Sequence, residues 1–118
     1  MAIYTNLPVY EDCYQLLLQI VTFSRNMQRD FRYTLGEQMK QTVVEIMVLI
    51  FKANKTKDKV GYISEAREKL VEVQVLSRLL NDLKQVSDKQ YLTAAVKIEG
   101  ISKQLTAWEK YIISVRSG

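Results

Sequence analysis

Apolar residues recur at steps of three and four along most of the chain, and short polar clusters break the rhythm between runs. The stretch NLPVYEDCYQLLLQIVTFSRNM places Cys13, Leu16, Ile20, Phe23 and Met27 on one helical stripe. Tyr10, Tyr14, Leu17 and Val21 form a second stripe beside it. Pro8 suits a first helical turn, and Glu11 and Asp12 sit near the positive end of the helix dipole. A first helix is therefore predicted over Pro8–Met27. In YTLGEQMK, Thr34 and Glu37 have the spacing of a capping box, which predicts a second helix from there to about Ala53. NKTKDK reads as a turn. A third helix is expected over Asp58–Val86. Ser87 and Gln90 in SDKQ form a second capping box, opening a fourth helix that runs to about Val115.

The fourth helix has the most regular pattern. Tyr91, Ala94, Ile98, Ile101, Leu105, Trp108, Ile112 and Val115 alternate steps of three and four, a heptad seam that favours shallow crossings. Short connections force successive helices antiparallel. The predicted fold is all-α: an up-down-up-down antiparallel four-helix bundle, one domain over residues 1–118.

The run TVVEIMVLIFK is richer in apolar residues than a bundle helix requires. From Val43 to Phe51 only Glu45 is polar, and the apolar side chains sweep about 260° of the helix surface. A core-facing stripe needs little more than about 100°. LLLQIVTF in the first helix shows the same excess. Either these two helices are covered within the monomer or their outer faces meet other copies of the chain. Every helix of a four-helix bundle keeps an outer face, so the second account is preferred. It predicts a ring-like homo-oligomer with Leu17, Val21, Val44, Val48 and Phe51 at the interface.

Composition narrows the chemistry. There is no histidine, which removes the commonest general base and the commonest zinc ligand. The one cysteine, Cys13, falls on the inward stripe and reads as a buried, inert thiol. Glu65, Glu68 and Glu72 share a helix face, but Arg67 and Lys69 beside them suggest a solvated, salt-bridged surface. Gly36 and Gly61 are lone glycines and make no phosphate loop. No catalytic, metal or cofactor site is expected, and the chain is read as a non-enzyme. No apolar run reaches the roughly 18 residues of a membrane span, no signal peptide precedes Leu7, and no disulfide can form within the chain. These features suit the cytoplasm.

Charge leaves one opening. The net charge is +4, which permits a polyanionic partner without requiring one. Arg25, Arg29 and Arg32 cluster at the first interhelical turn, and Lys52, Lys55, Lys57 and Lys59 at the second. Arg67 and Arg78 lie eleven residues apart on the third helix, about three turns, and so face the same way. Repeated around a ring, such side chains would form a belt for phosphate backbones without base specificity. Tyr10, Tyr14, Tyr91 and Trp108 lie on apolar stripes and read as packing residues. Tyr33 and Tyr62 lie near turns and stay open.

The segments LPVYEDCYQLLLQI, RYTLGEQMKQTVVEI, IFKANK, SEAREKLVEVQVLSRLLNDLKQVS and ISKQLTAWEKY resemble the accessory variability determinant proteins of diversity-generating retroelements. The similarity runs from about Leu7 to Tyr111. Broader relatives are the four-helix-bundle proteins encoded in intervening sequences of bacterial 23S ribosomal RNA genes; YTLGE, KAN and SKQLTAW favour the retroelement branch. The resemblance implies a pentameric barrel that binds the retroelement's reverse transcriptase and its template-repeat RNA, or DNA, and supports mutagenic cDNA synthesis. It implies a role in the basic surface for Arg78, with Arg67 and Lys84 behind it. The alternative is a structural homo-oligomer with a protein-only partner, as in the intervening-sequence relatives.

Overall fold

The computed structural model describes residues 7–117, and every regular element among them is helical. The four long helices are α1 (Pro8–Ser24), α2 (Glu37–Lys55), α3 (Val60–Asp82) and α4 (Asp88–Ser117). They form a rod of 51 × 20 × 19 Å. Each helix packs on the two beside it: α1 and α3 each contact both α2 and α4. The bundle is therefore a square in cross-section, with the α1/α2 face opposite the α3/α4 face.

One continuous core fills the square. Cys13, Leu16, Ile20, Phe23 and Met27 all point into it, as their spacing predicts. From α2 come Met39, Val43, Ile46, Ile50 and Ala53, and from α3 Ile63, Ala66, Leu70, Val73 and Leu80. On α4, Ala94, Ile98, Ile101, Leu105 and Ile112 are buried, while Tyr91 and Trp108 pack against the core edge. Val115 ends the seam in solvent.

The helix ends differ from expectation in instructive ways. Thr34 and Glu37 make no capping box. The helical path begins at Arg29, with a single α-turn over Arg29–Phe31 and a π-helical stretch over Arg32–Gly36 leading into α2. The Thr34 hydroxyl donates to the Asp30 carbonyl at 2.6 Å, an acceptor that exists one turn back only because the chain is already helical there. Phe31 and Leu35 pack on the core ahead of Met39 and Val43. Steps of four overshoot an α-turn by about 40° each. A wider turn closed by i→i+5 bonds absorbs the surplus and keeps all four residues facing inward. Gly36 lies so close to Met27 that a Cβ there would sit 3.1 Å from its sulfur and 3.3 Å from the Phe31 carbonyl oxygen.

α3 stops at Asp82, four residues before the predicted end. Lys84 adopts φ 63°, the left-handed region. The Gln85 amide then donates to the Leu80 carbonyl at 2.8 Å and the Lys84 amide to Asn81 at 3.0 Å, the paired bonds of a Schellman motif. The predicted box at the start of α4 is present: the Ser87 amide donates to Gln90 Oε1 at 3.0 Å, and the Gln90 amide to Ser87 Oγ at 3.1 Å. α1 ends at Ser24 and tightens into i→i+3 bonds that carry Met27 back into the core. At the end of α2, Lys59 Nζ donates to the carbonyls of Ala53 and Thr56, both at 2.8 Å.

Candidate nucleic-acid interface

The antiparallel course puts the turns after α1 and α3 at one end of the rod and the turn after α2 at the other. At the first end the two turns are joined directly: the Gln28 amide donates to Gln85 Oε1 at 2.7 Å. This bond brings Lys84 alongside Arg25, Arg29 and Arg32, although they are more than fifty residues apart in sequence. None of these four cations forms an ion pair among the described residues. Arg32 Nη2 instead donates to the carbonyls of Arg25 at 3.2 Å and Met27 at 3.1 Å, capping the frayed end of α1. Carbonyls hold the guanidinium in place without cancelling its charge. Arg29 and Arg32 both lie beside Tyr33, with Cζ at 6.0 and 5.8 Å from the ring centroid.

At the other end, Lys52 lies 6.0 Å from the Tyr62 ring and Lys55 lies 4.7 Å from the Phe51 ring. Lys59 is committed to capping α2. Asp58 is the acid of this turn, and Arg116 approaches it at 3.8 Å.

Between the ends, Arg67 and Arg78 both turn toward α4, as their spacing predicts. Their electrostatics differ. Arg67 donates to Glu109 Oε1 at 2.6 Å, so most of its charge is spent within the bundle. Arg78 has no such partner. It lines an open groove between α3 and α4 with Gln74, Val75, Tyr91 and Ala95, and its guanidinium is exposed. Other charges along the waist pair internally. Lys69 pairs across to Glu45 at 3.2 Å instead of along its own helix, and that hydrogen bond, against the cost of desolvation, raises its pKa. The Thr42 hydroxyl donates to Glu72. Asp12 accepts from Gln104 at 2.6 Å and lies 3.6 Å from Lys97. Burial, with a smaller push from Asp12, lifts the Cys13 thiol to about 12, so it stays protonated and unreactive near neutral pH.

The α1/α2 face of the rod is apolar. Tyr10, Tyr14, Leu17, Val44, Met47, Val48 and Phe51 line an open groove of about 360 Å³ between α1 and α2. It contains Leu17, Val44, Val48 and Phe51 of the predicted interface; Val21 is half-buried on the same helix.

A family model described as bAvd-like matches residues 9–112. The chain belongs to the bAvd-like family. The matched stretch reaches all four helices of the bundle and contains Arg25, Arg29, Arg32, Arg67, Arg78, Lys84 and the residues of the α1/α2 groove. The resemblance carried by the segments from Leu7 to Tyr111 is thereby upheld. A search among curated proteins finds no match.

The bAvd-like chain also carries an apolar face that its sequence was not expected to show. Val71, Val75, Leu92 and Val96 stand on the outer side of α3 and α4, with Val96 74% and Val75 60% exposed. Both exceed Val48 on α2, at 45%. The signal was present: Val71, Val75, Leu79 and Leu83 recur at steps of four on the side of α3 away from its core stripe. It is masked by the charged residues between them.

Proposed function

We infer that this bAvd-like protein is a non-catalytic accessory factor of a diversity-generating retroelement, binding the element's reverse transcriptase and template-repeat RNA, or DNA, through a basic surface. The observation that carries this reading is the family membership across residues 9–112. The polymerase supplies the chemistry of mutagenic cDNA synthesis, and the accessory protein supplies charge at fixed positions. Arg78, Arg25, Arg29 and Lys84 are the strongest contributors, because their charge is not neutralised by a carboxylate. Arg67 contributes less, since Glu109 holds it.

The protein acts as a ring-like homo-oligomer in the cytoplasm, a pentamer by family resemblance. Two unlike apolar surfaces of one rod support a head-to-tail contact, in which α1/α2 of one copy meets the Leu92 and Val96 side of α4 of the next and the Arg78 groove stays outside the contact. Repeated head-to-tail contacts close into rings when the rotation per subunit divides a full circle. Closure multiplies a modest net charge into a strong field.

Fluorescence anisotropy with template-repeat RNA across a salt series tests the nucleic-acid arm. Affinity should fall steeply with salt, and Arg78→Ala should weaken binding and lower the salt slope by about one while the assembly stays intact by light scattering. Affinity that is unaltered at 0.5 M salt would refute a phosphate-binding role. Retention of the polymerase after RNase treatment would then identify a protein-only partner.

A further inference from the structure

We propose that Tyr33, with Arg29 and Arg32 beside it, is a stacking platform for an unpaired nucleobase, the two guanidiniums taking the phosphates that flank that base. The proposal rests on the nucleic-acid reading above and adds to it a site and a class of ligand: single-stranded RNA or DNA.

Tyr33 is the outlier among the tyrosines near the turns. Tyr10, Tyr62 and Tyr91 lay their rings against the core edge, whereas Tyr33 is 61% exposed and touches no core residue in that way. The two cations at its ring are Arg29 and Arg32. Both lie over the ring at 6.0 and 5.8 Å from its centroid, farther than the about 3.5–4 Å of stacked atoms, so neither guanidinium is itself stacked on it. An exposed cation–π contact adds little to folding, so packing does not account for the arrangement.

The platform is also held still. Arg32 is clamped by the carbonyls of Arg25 and Met27, and its Nε is buried without a partner. The ring sits in the π-helical stretch, whose wider turn is fixed by Gly36 against Met27 and by the Thr34–Asp30 bond. Lys84 adds a further cation through the Gln28–Gln85 link. Asp30 is the acid nearest in sequence, and it pairs with none of these arginines. An aromatic face among uncompensated cations fits a base and its phosphates, and stacking on every base alike makes such a site tolerant of sequence. A duplex offers no free base face to the ring, so it meets only the charges.

The test compares the assembled wild-type protein with Tyr33→Ala and Tyr33→Phe. The probes are a labelled 20-nucleotide oligo(dT) strand and a hairpin duplex of equal charge, with 2-aminopurine fluorescence as a stacking readout. Tyr33→Ala should weaken single-strand binding about tenfold, leave duplex binding within twofold, and abolish the 2-aminopurine quenching seen with wild type. Tyr33→Phe should behave as wild type. Single-strand affinity unchanged in Tyr33→Ala, or an equal loss for strand and duplex, would overturn the platform and leave the broader reading standing. Absence of binding to either probe by the wild type would overturn the broader reading and the platform with it. Tyr33→Ala losing the polymerase but not the oligonucleotide would assign the ring to a protein contact instead.

Discussion

Lys84 occupies a conformation that disfavours any side chain. With φ at 63°, its Cβ crowds the carbonyl that follows, a strain of about 1–2 kcal/mol that glycine does not feel. Lys84→Gly should therefore stabilise the fold by about 1 kcal/mol, seen as a higher urea midpoint at unchanged slope and fixed protein concentration, even though it removes a cation from the basic end. The missing glycine is also why α3 was predicted four residues too long: the usual mark of a helix stop is absent, and Leu83 and Val86 continue the apolar rhythm. By contrast Cys13 was legible, because a lone thiol on a regular stripe has one natural place to go. The buried thiol near 12 follows from that place.

The helices themselves show where local chemistry is readable and where it is not. Ser87 with Gln90 and Thr34 with Glu37 have the same spacing, yet only the first pair caps a helix. The difference lies upstream. Ser87 follows a Schellman motif that has already ended α3, whereas Thr34 follows Phe31, whose packing on the core draws the preceding turn into the helix. Ser87→Ala should accordingly cost about 1 kcal/mol in denaturant titration. Thr34→Ala should cost under about 0.5 kcal/mol, because its hydroxyl serves a carbonyl that the helix already accommodates. Equal losses for the two would reinstate Thr34 as a cap. Phe31 and Leu35, eight and four residues before Met39, were the available clue that the helix starts early. Steps of four alone do not announce a π-turn, since an α-helix with a drifting stripe looks the same on paper.

At the scale of the whole bundle, the number of helices, their order and most of the core were legible, because a repeating apolar stripe leaves little choice of inward face. The surplus in TVVEIMVLIFK was smaller than its sweep suggested: Val43, Ile46, Met47, Leu49 and Ile50 are buried, and Val44 and Val48 are its exposed members. The face on α3 and α4 escaped notice because it lies on helices rich in charge. A head-to-tail assembly makes a specific forecast. Val48→Glu and Val96→Glu should each disperse the oligomer, and an equimolar mixture of the two should form one-to-one dimers through the pair of faces left intact, as read by multi-angle light scattering. Dimers formed by either variant alone would point to contacts between like faces, and a mixture that stays monomeric would overturn the head-to-tail arrangement. The charge distribution was only partly legible: which cations are spent on carboxylates, as Arg67 is on Glu109, depends on neighbours forty residues away.

The rod's long axis also sets a ruler. The basic clusters at its two turns are joined by α2, whose 19 residues at about 1.5 Å each set them about 30 Å apart, the rise of about nine base pairs of duplex at about 3.4 Å per step. On the proposed nucleic-acid reading, a shorter duplex lying along one subunit reaches one cluster at a time, whereas a longer one bridges both. Length, before any letter of the message, is thus the first property of a strand that this shape can measure.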